Sequence, residues 1–90
     1  KDMKLPDAEF SYGVVAEGDH FVLSVEAKHL LKDVEIRVQG CEAEFSDNFM
    51  DFLPGRKYEI LIRHADVADA EDLIERLRFR DLGKLLEYPQ

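Results

Sequence analysis

Apolar side chains recur at every second position in several short segments of this chain, each closed by turn residues. That pattern suits antiparallel sheets with one buried face. From Phe10 the apolar residues run Phe10, Tyr12, Val14 and Ala16, and Glu17, Gly18 and Asp19 end the run. Over residues 20–28, Phe21, Leu23, Val25 and Ala27 face one way, and Val22, Ser24, Glu26 and Lys28 the other. Residues 29–33 read as a connection, after which Val34, Ile36 and Val38 alternate with Glu35, Arg37 and Gln39 until Gly40. Residues 41–45 are a candidate short strand, and Ser46, Asp47 and Asn48 carry side chains suited to bonding local backbone in a turn. In Leu53, Pro54, Gly55 and Arg56 the proline presets one central φ and the glycine accepts a positive one, as a type II turn requires. A strand is expected to restart at once over residues 57–64, with Tyr58, Ile60 and Ile62 on one face. If Leu53 is buried beside this turn, truncating it to alanine would cost about 2 to 5 kcal/mol.

The period then changes. Ala70, Leu73, Ile74 and Leu77 are spaced as one helical face, Asp66 or Asp69 is a candidate cap, and acids crowd the start while Arg76 and Arg78 crowd the end. The spacing predicts a helix of about two turns, followed by a last strand over residues 77–82, where Phe79 alternates with Arg78 and Arg80. About seven short strands without a βαβ rhythm predict an all-β fold, an immunoglobulin-like antiparallel β-sandwich with one short helix before the last strand. Residues 1–7 read as a tether and residues 8–88 as the sandwich. Leu53, Pro54 and Gly55 ahead of Tyr58 look like the corner before strand F of such sandwiches, which makes Tyr58 a candidate tyrosine corner. One cysteine, Cys41, and no tryptophan exclude the disulfide and tryptophan of antibody domains.

Charge and size narrow the function. Twelve Lys and Arg against twenty Asp and Glu leave a net charge of −8, which repels phosphate backbones, so nucleic acid is not expected as a partner. No apolar run approaches the roughly 20 residues of a membrane span, so no insertion is expected. The first residue is Lys1, and the chain reads as a piece of a longer protein. His20, His29 and His64 are dispersed, without the spacing of zinc hydrolases. Asp47, Asn48 and Asp51 resemble a calcium loop only superficially, lacking its alternate ligands and terminal glutamate. Asp66, Asp69 and Asp72 read as the start of a helix rather than as a catalytic pair. No nucleophile elbow or phosphate loop is present, so neither catalytic residues nor a cofactor or metal are expected. Phe10, Phe21, Phe45, Tyr58 and Phe79 are phased inward, whereas Tyr12, Phe49, Phe52 and Tyr88 are unassigned. Met50 and Phe52 cannot both face the core if Phe49 does, and the leftover apolar surface is a candidate docking face.

The run Glu44, Phe45, Ser46, Asp47, Asn48, Phe49, Met50, Asp51, Phe52, Leu53, Pro54, Gly55 resembles a stretch in the C-terminal immunoglobulin-like domain of glycoside hydrolase family 2 β-mannosidases. There an aromatic residue precedes Ser-Asp-Asn, an aromatic and an acidic residue follow, and Leu-Pro-Gly ends the segment ahead of a strand. Met50, where a second aromatic is expected, departs mildly. The resemblance implies a noncatalytic C-terminal accessory domain that packs on the catalytic part of a parent enzyme removing terminal β-mannose. The family's catalytic barrel takes about 250 residues by itself and cannot lie within 90. Phe45, Ser46, Asp47, Asn48, Leu53, Pro54, Gly55 and Tyr58 therefore transfer only as a structural motif. The expected partners are other domains of the parent glycosidase, in a periplasmic, extracellular or lysosomal setting ahead of a nuclear one. The alternative is a freestanding fibronectin-like adhesion or carbohydrate-binding module, with carbohydrate as its partner.

Overall fold

The computed structural model describes residues 2–4, 10–83 and 86–88. Among them are strands β1 (Asp2–Lys4), β2 (Phe10–Glu17), β3 (His20–Ala27), β4 (Leu31–Val38), β5 (Glu44–Phe45), β6 (Met50–Phe52) and β7 (Lys57–Arg63), then helix α1 (Ala70–Arg76), β8 (Leu77–Asp81) and β9 (Leu86–Tyr88). They form a five-stranded sheet in the order β1-β2-β3-β7-β5 and a four-stranded sheet in the order β6-β4-β8-β9. All ladders are antiparallel. This is the all-β immunoglobulin-like sandwich that the alternation predicts.

Inward positions of both sheets supply the core. Tyr12, Val14, Leu23, Val25, Ile60 and Ile62 come from the five-stranded sheet, and Leu31, Val34, Ile36, Phe52, Leu77 and Phe79 from the other. An aromatic cluster joins the layers at one end: the Phe79 ring lies 4.8 Å from Phe10 and 4.9 Å from Tyr12, centroid to centroid. Burial raises the Tyr12 hydroxyl above its ordinary pKa, and the nearby Arg78 charge opposes that rise.

Several local expectations change. Residues 2–4, expected within a tether, pair with β2 through Asp2↔Gly13, Met3↔Tyr12 and Lys4↔Ser11. The remaining residues assigned to the tether lie outside the described ones. The third expected strand begins earlier, at Leu31, because the register shifts between Leu31 and Val34 and Asp33 adopts a φ of 51°. An extra residue of this kind breaks the simple alternation on which the expectation rested.

Tyr58 also sits elsewhere than expected. In immunoglobulin domains the layers are A-B-E-D and C-F-G, and here β2-β3-β7-β5 and β4-β8-β9 follow those orders. Tyr58 therefore lies near the start of a strand in the E position, β7, while β8 takes the F position. A tight turn followed by alternation specifies a strand but not the sheet that receives it. Leu53 is 42% exposed, and the neighbouring Phe52 is the buried one. The cost conditional on Leu53 burial therefore does not apply.

The helix is the connection from β7 to β8. Asp69 caps it, accepting a hydrogen bond from the Asp72 amide at 2.9 Å, and Leu73 and Ile74 are its buried residues. At its far end the Gln39 amide donates to the Arg76 carbonyl at 2.7 Å, which ties the helix to the end of β4. Leu77 is both the cap of the helix and the first residue of β8.

Candidate functional site

The residues singled out by the sequence converge on the segment that carries the chain between layers. β5 belongs to the five-stranded sheet and β6 to the four-stranded one, so the chain changes sheets within residues 46–49. A crossing this short interrupts two ladders at once, and the exposed peptide groups need other partners.

Side chains provide them. Glu44↔Arg63 and Phe45↔Ile62 are backbone pairs, and Ser46 continues the same register opposite Leu61. Its amide donates to the Leu61 carbonyl at 2.9 Å, while its Oγ accepts from the Leu61 amide at 2.9 Å in place of a backbone carbonyl. Asn48 does the equivalent on the other sheet. Its Oδ1 accepts from the Ile36 amide at 2.7 Å and its Nδ2 donates to the Ile36 carbonyl at 2.9 Å. The side-chain amide thus mimics a peptide group, extending the Val34↔Met50 register by two residues on each side. Asp47 Oδ1 accepts from the Asn48 amide at 3.0 Å. Asp51 Oδ1 accepts from the Asp33 amide at 3.0 Å, which fastens the irregular turn of β4.

The backbone then makes an unusual demand. Phe49, whose amide donates to Asn48 Oδ1 at 2.8 Å, has a φ of 51°. A bulky residue in this left-handed region costs about 1 to 3 kcal/mol. Phe49 is 59% exposed, whereas Phe45 is half-buried against the core. The sequence leaves Phe49 unassigned, since the parity of Met50 and Phe52 excludes only that all three face the core, and no sequence signal marks its backbone.

After β6 the chain returns to the first sheet through Leu53, Pro54 and Gly55. Gly55 has a φ of 78°, and the Arg56 amide reaches the Leu53 carbonyl at 3.4 Å, consistent with a type II turn. The Gly55 amide donates to the Ala27 carbonyl at 3.1 Å, and Pro54 forms a bridge with Ala27, so the turn closes the end of β3. The Tyr58 hydroxyl accepts from the Leu53 amide at 2.9 Å. The Tyr58 ring meets Phe52 edge-on at 5.2 Å and lies beneath Arg56, 5.8 Å from the guanidinium carbon.

Other candidate groups are dispersed. His20 bonds Asp19 at 3.2 Å at the β2–β3 turn, and this hydrogen bond holds the exposed Asp19 carboxyl below its ordinary pKa. His64 lies 3.9 Å from Glu44, and His29 is exposed. Asp72 accepts from the Ala68 amide at 2.9 Å and from Arg76 Nε at 3.1 Å, which lower its pKa in that order of importance. Among the described residues, no group of three or more His, Cys, Asp or Glu is placed to hold a metal ion. Cys41 is half-buried against the core, and the Tyr88 side chain lies outside the described residues.

What this arrangement does chemically is structural: it satisfies two sheet ladders and presents Phe49. A search of curated proteins found no match. The family model Ig_mannosidase, described as an Ig-fold domain, matches residues 5–85.

Proposed function

The chain belongs to the Ig_mannosidase family of Ig-fold domains, and from that premise we propose that it is a noncatalytic accessory domain of a β-mannosidase-like glycoside hydrolase. In this reading the sandwich, β1 included, lies at the C-terminal end of its parent and packs on the part that removes terminal β-mannose from oligosaccharides. The family match over residues 5–85 carries the reading. Supporting it, the motif residues Ser46, Asp47 and Asn48 are engaged with backbone amides and carbonyls. Phe45, Leu53, Pro54, Gly55 and Tyr58 complete the same structural unit: Phe45 ends β5, and the other four form the return to β7.

The test compares the parent polypeptide with and without this domain. Turnover of an aryl β-mannoside should be absent from the purified 90-residue chain, and deletion of the domain should lower the thermal midpoint of the parent. Turnover that co-purifies with the chain and survives further fractionation would overturn the reading. An unchanged midpoint after deletion would overturn the packing role.

A further inference from the structure

Resting on the reading of this chain as an accessory domain, we infer that Phe49 anchors the domain to the rest of its parent polypeptide, seated in an apolar recess rimmed by Lys and Arg. The reason begins in the backbone. A left-handed residue follows Asn48, whose side-chain amide occupies the ladder position beside Ile36 before β6 begins. Glycine or asparagine meets that conformation with little strain. Phenylalanine does not. Among the described residues, the other non-glycine ones of positive φ, Asp33 and His64, are types that tolerate it.

Packing on its own domain does not bury this residue, for Phe49 remains 59% exposed and lies outside the core. Strain and exposure at one bulky side chain point to a contact made with something else. Leu30 and Leu53, also exposed, adjoin the Leu31↔Phe52 pair at the other end of β6. Of the four exposed large hydrophobics among the described residues, Phe49 and Leu53 therefore flank this edge strand and Leu30 precedes β4 beside it.

Charge selects the occupant. Asp47 and Asp51 flank Phe49 in the chain, Asp33 is tied to Asp51, and all three are exposed. A second copy docked through the same surface about a two-fold axis would bring these carboxylates together, on chains each carrying −8. A separate surface with a basic rim is complementary. It would cover the ring and neutralise the acids in one contact.

Hydroxyl-radical footprinting of the parent polypeptide, read by mass spectrometry, tests this directly. Phe49 should be labelled as slowly as the core residue Phe52, and Phe49→Asp should speed proteolytic release of the domain several-fold while Phe49→Leu does not. If Phe49 labels as a free ring while Val15, on the opposite sheet, is protected, the domain docks by another face and the inference fails alone. If both label as free, the docking reading fails with it. Protection lost on dilution would assign the ring to a second copy, and protection gained only with mannan oligosaccharides would assign it to sugar. Either result would overturn the inference.

Discussion

Two of the connections that carry the chain between its sheets contrast: residues 46–49 do it in a few peptide units, whereas residues 64–76 include a helix. The short crossing has no room for a core of its own. It keeps both ladders intact by substituting the Ser46 hydroxyl and the Asn48 amide for peptide groups. The long crossing lays Leu73 and Ile74 on the sandwich and satisfies its own amides through Asp69 and Asp72. One connection rests on polar mimicry, the other on apolar burial. Their failure should differ in size and in kind.

The largest effect belongs to the long crossing. Leu73 is fully buried, so Leu73→Ala should cost about 2 to 5 kcal/mol through lost transfer energy and an unfilled cavity. Urea unfolding measures this, and a loss under about 1 kcal/mol would place the helix outside the cooperative core.

Asn48 comes next. Asn48→Ala removes both bonds to Ile36 and leaves part-buried peptide groups unpaired, at a cost of about 1 to 3 kcal/mol. Asn48→Asp sharpens the point at neutral pH, because a carboxylate still accepts from the Ile36 amide but repels the Ile36 carbonyl. Both variants should be less stable than the parent chain, and amide exchange should rise locally at Ile36. If Asn48→Asp unfolds at the same urea concentration as the unmodified chain, the mimicry is wrong.

Polar groups matter less in the helical crossing. Asp69→Ala should cost about 0.5 to 2 kcal/mol as a lost N-cap, read by the same unfolding curves. Asp72 adds a pH signature. Its folded pKa is lowered, chiefly by the Ala68 amide and then by Arg76, so the unfolded chain takes up the proton first as pH falls. The resulting stability is present above the unfolded value and is lost as pH drops through the folded one. Asp72→Asn should therefore flatten the stability curve from the ordinary carboxylate range downward, and an unaltered acid limb would count against the assignment.

The two crossings were unequally legible. Leu73, Ile74 and Leu77 announce the long one by a period that needs no partner to be read. β2, β3, β7 and β8 were readable for the same reason. Ser46, Asp47 and Asn48 could be read as a turn, but their partners Leu61 and Ile36 are 15 and 12 residues distant from Ser46 and Asn48. Local chemistry names a polar side chain without naming the sheet it will join. The same gap misplaced Tyr58 in strand F, and the irregularity at Asp33 hid Leu31 by shifting the phase of β4.

The smallest effect separates the polar crossing from the surface around it. Leu53 is held in the return turn through its backbone, since its amide donates to the Tyr58 hydroxyl, and the residue is 42% exposed. Truncation removes a side chain that lies outside the core and leaves that amide in place, so Leu53→Ala should change stability by no more than about 0.5 kcal/mol. Tyr58→Phe, which deletes the acceptor and keeps the ring against Phe52, should cost more, about 0.5 to 1.5 kcal/mol. If Leu53→Ala proves the costlier of the two, the side chain packs in the isolated domain after all. The return turn would then be held by apolar contact, like the helical crossing, rather than by a hydroxyl.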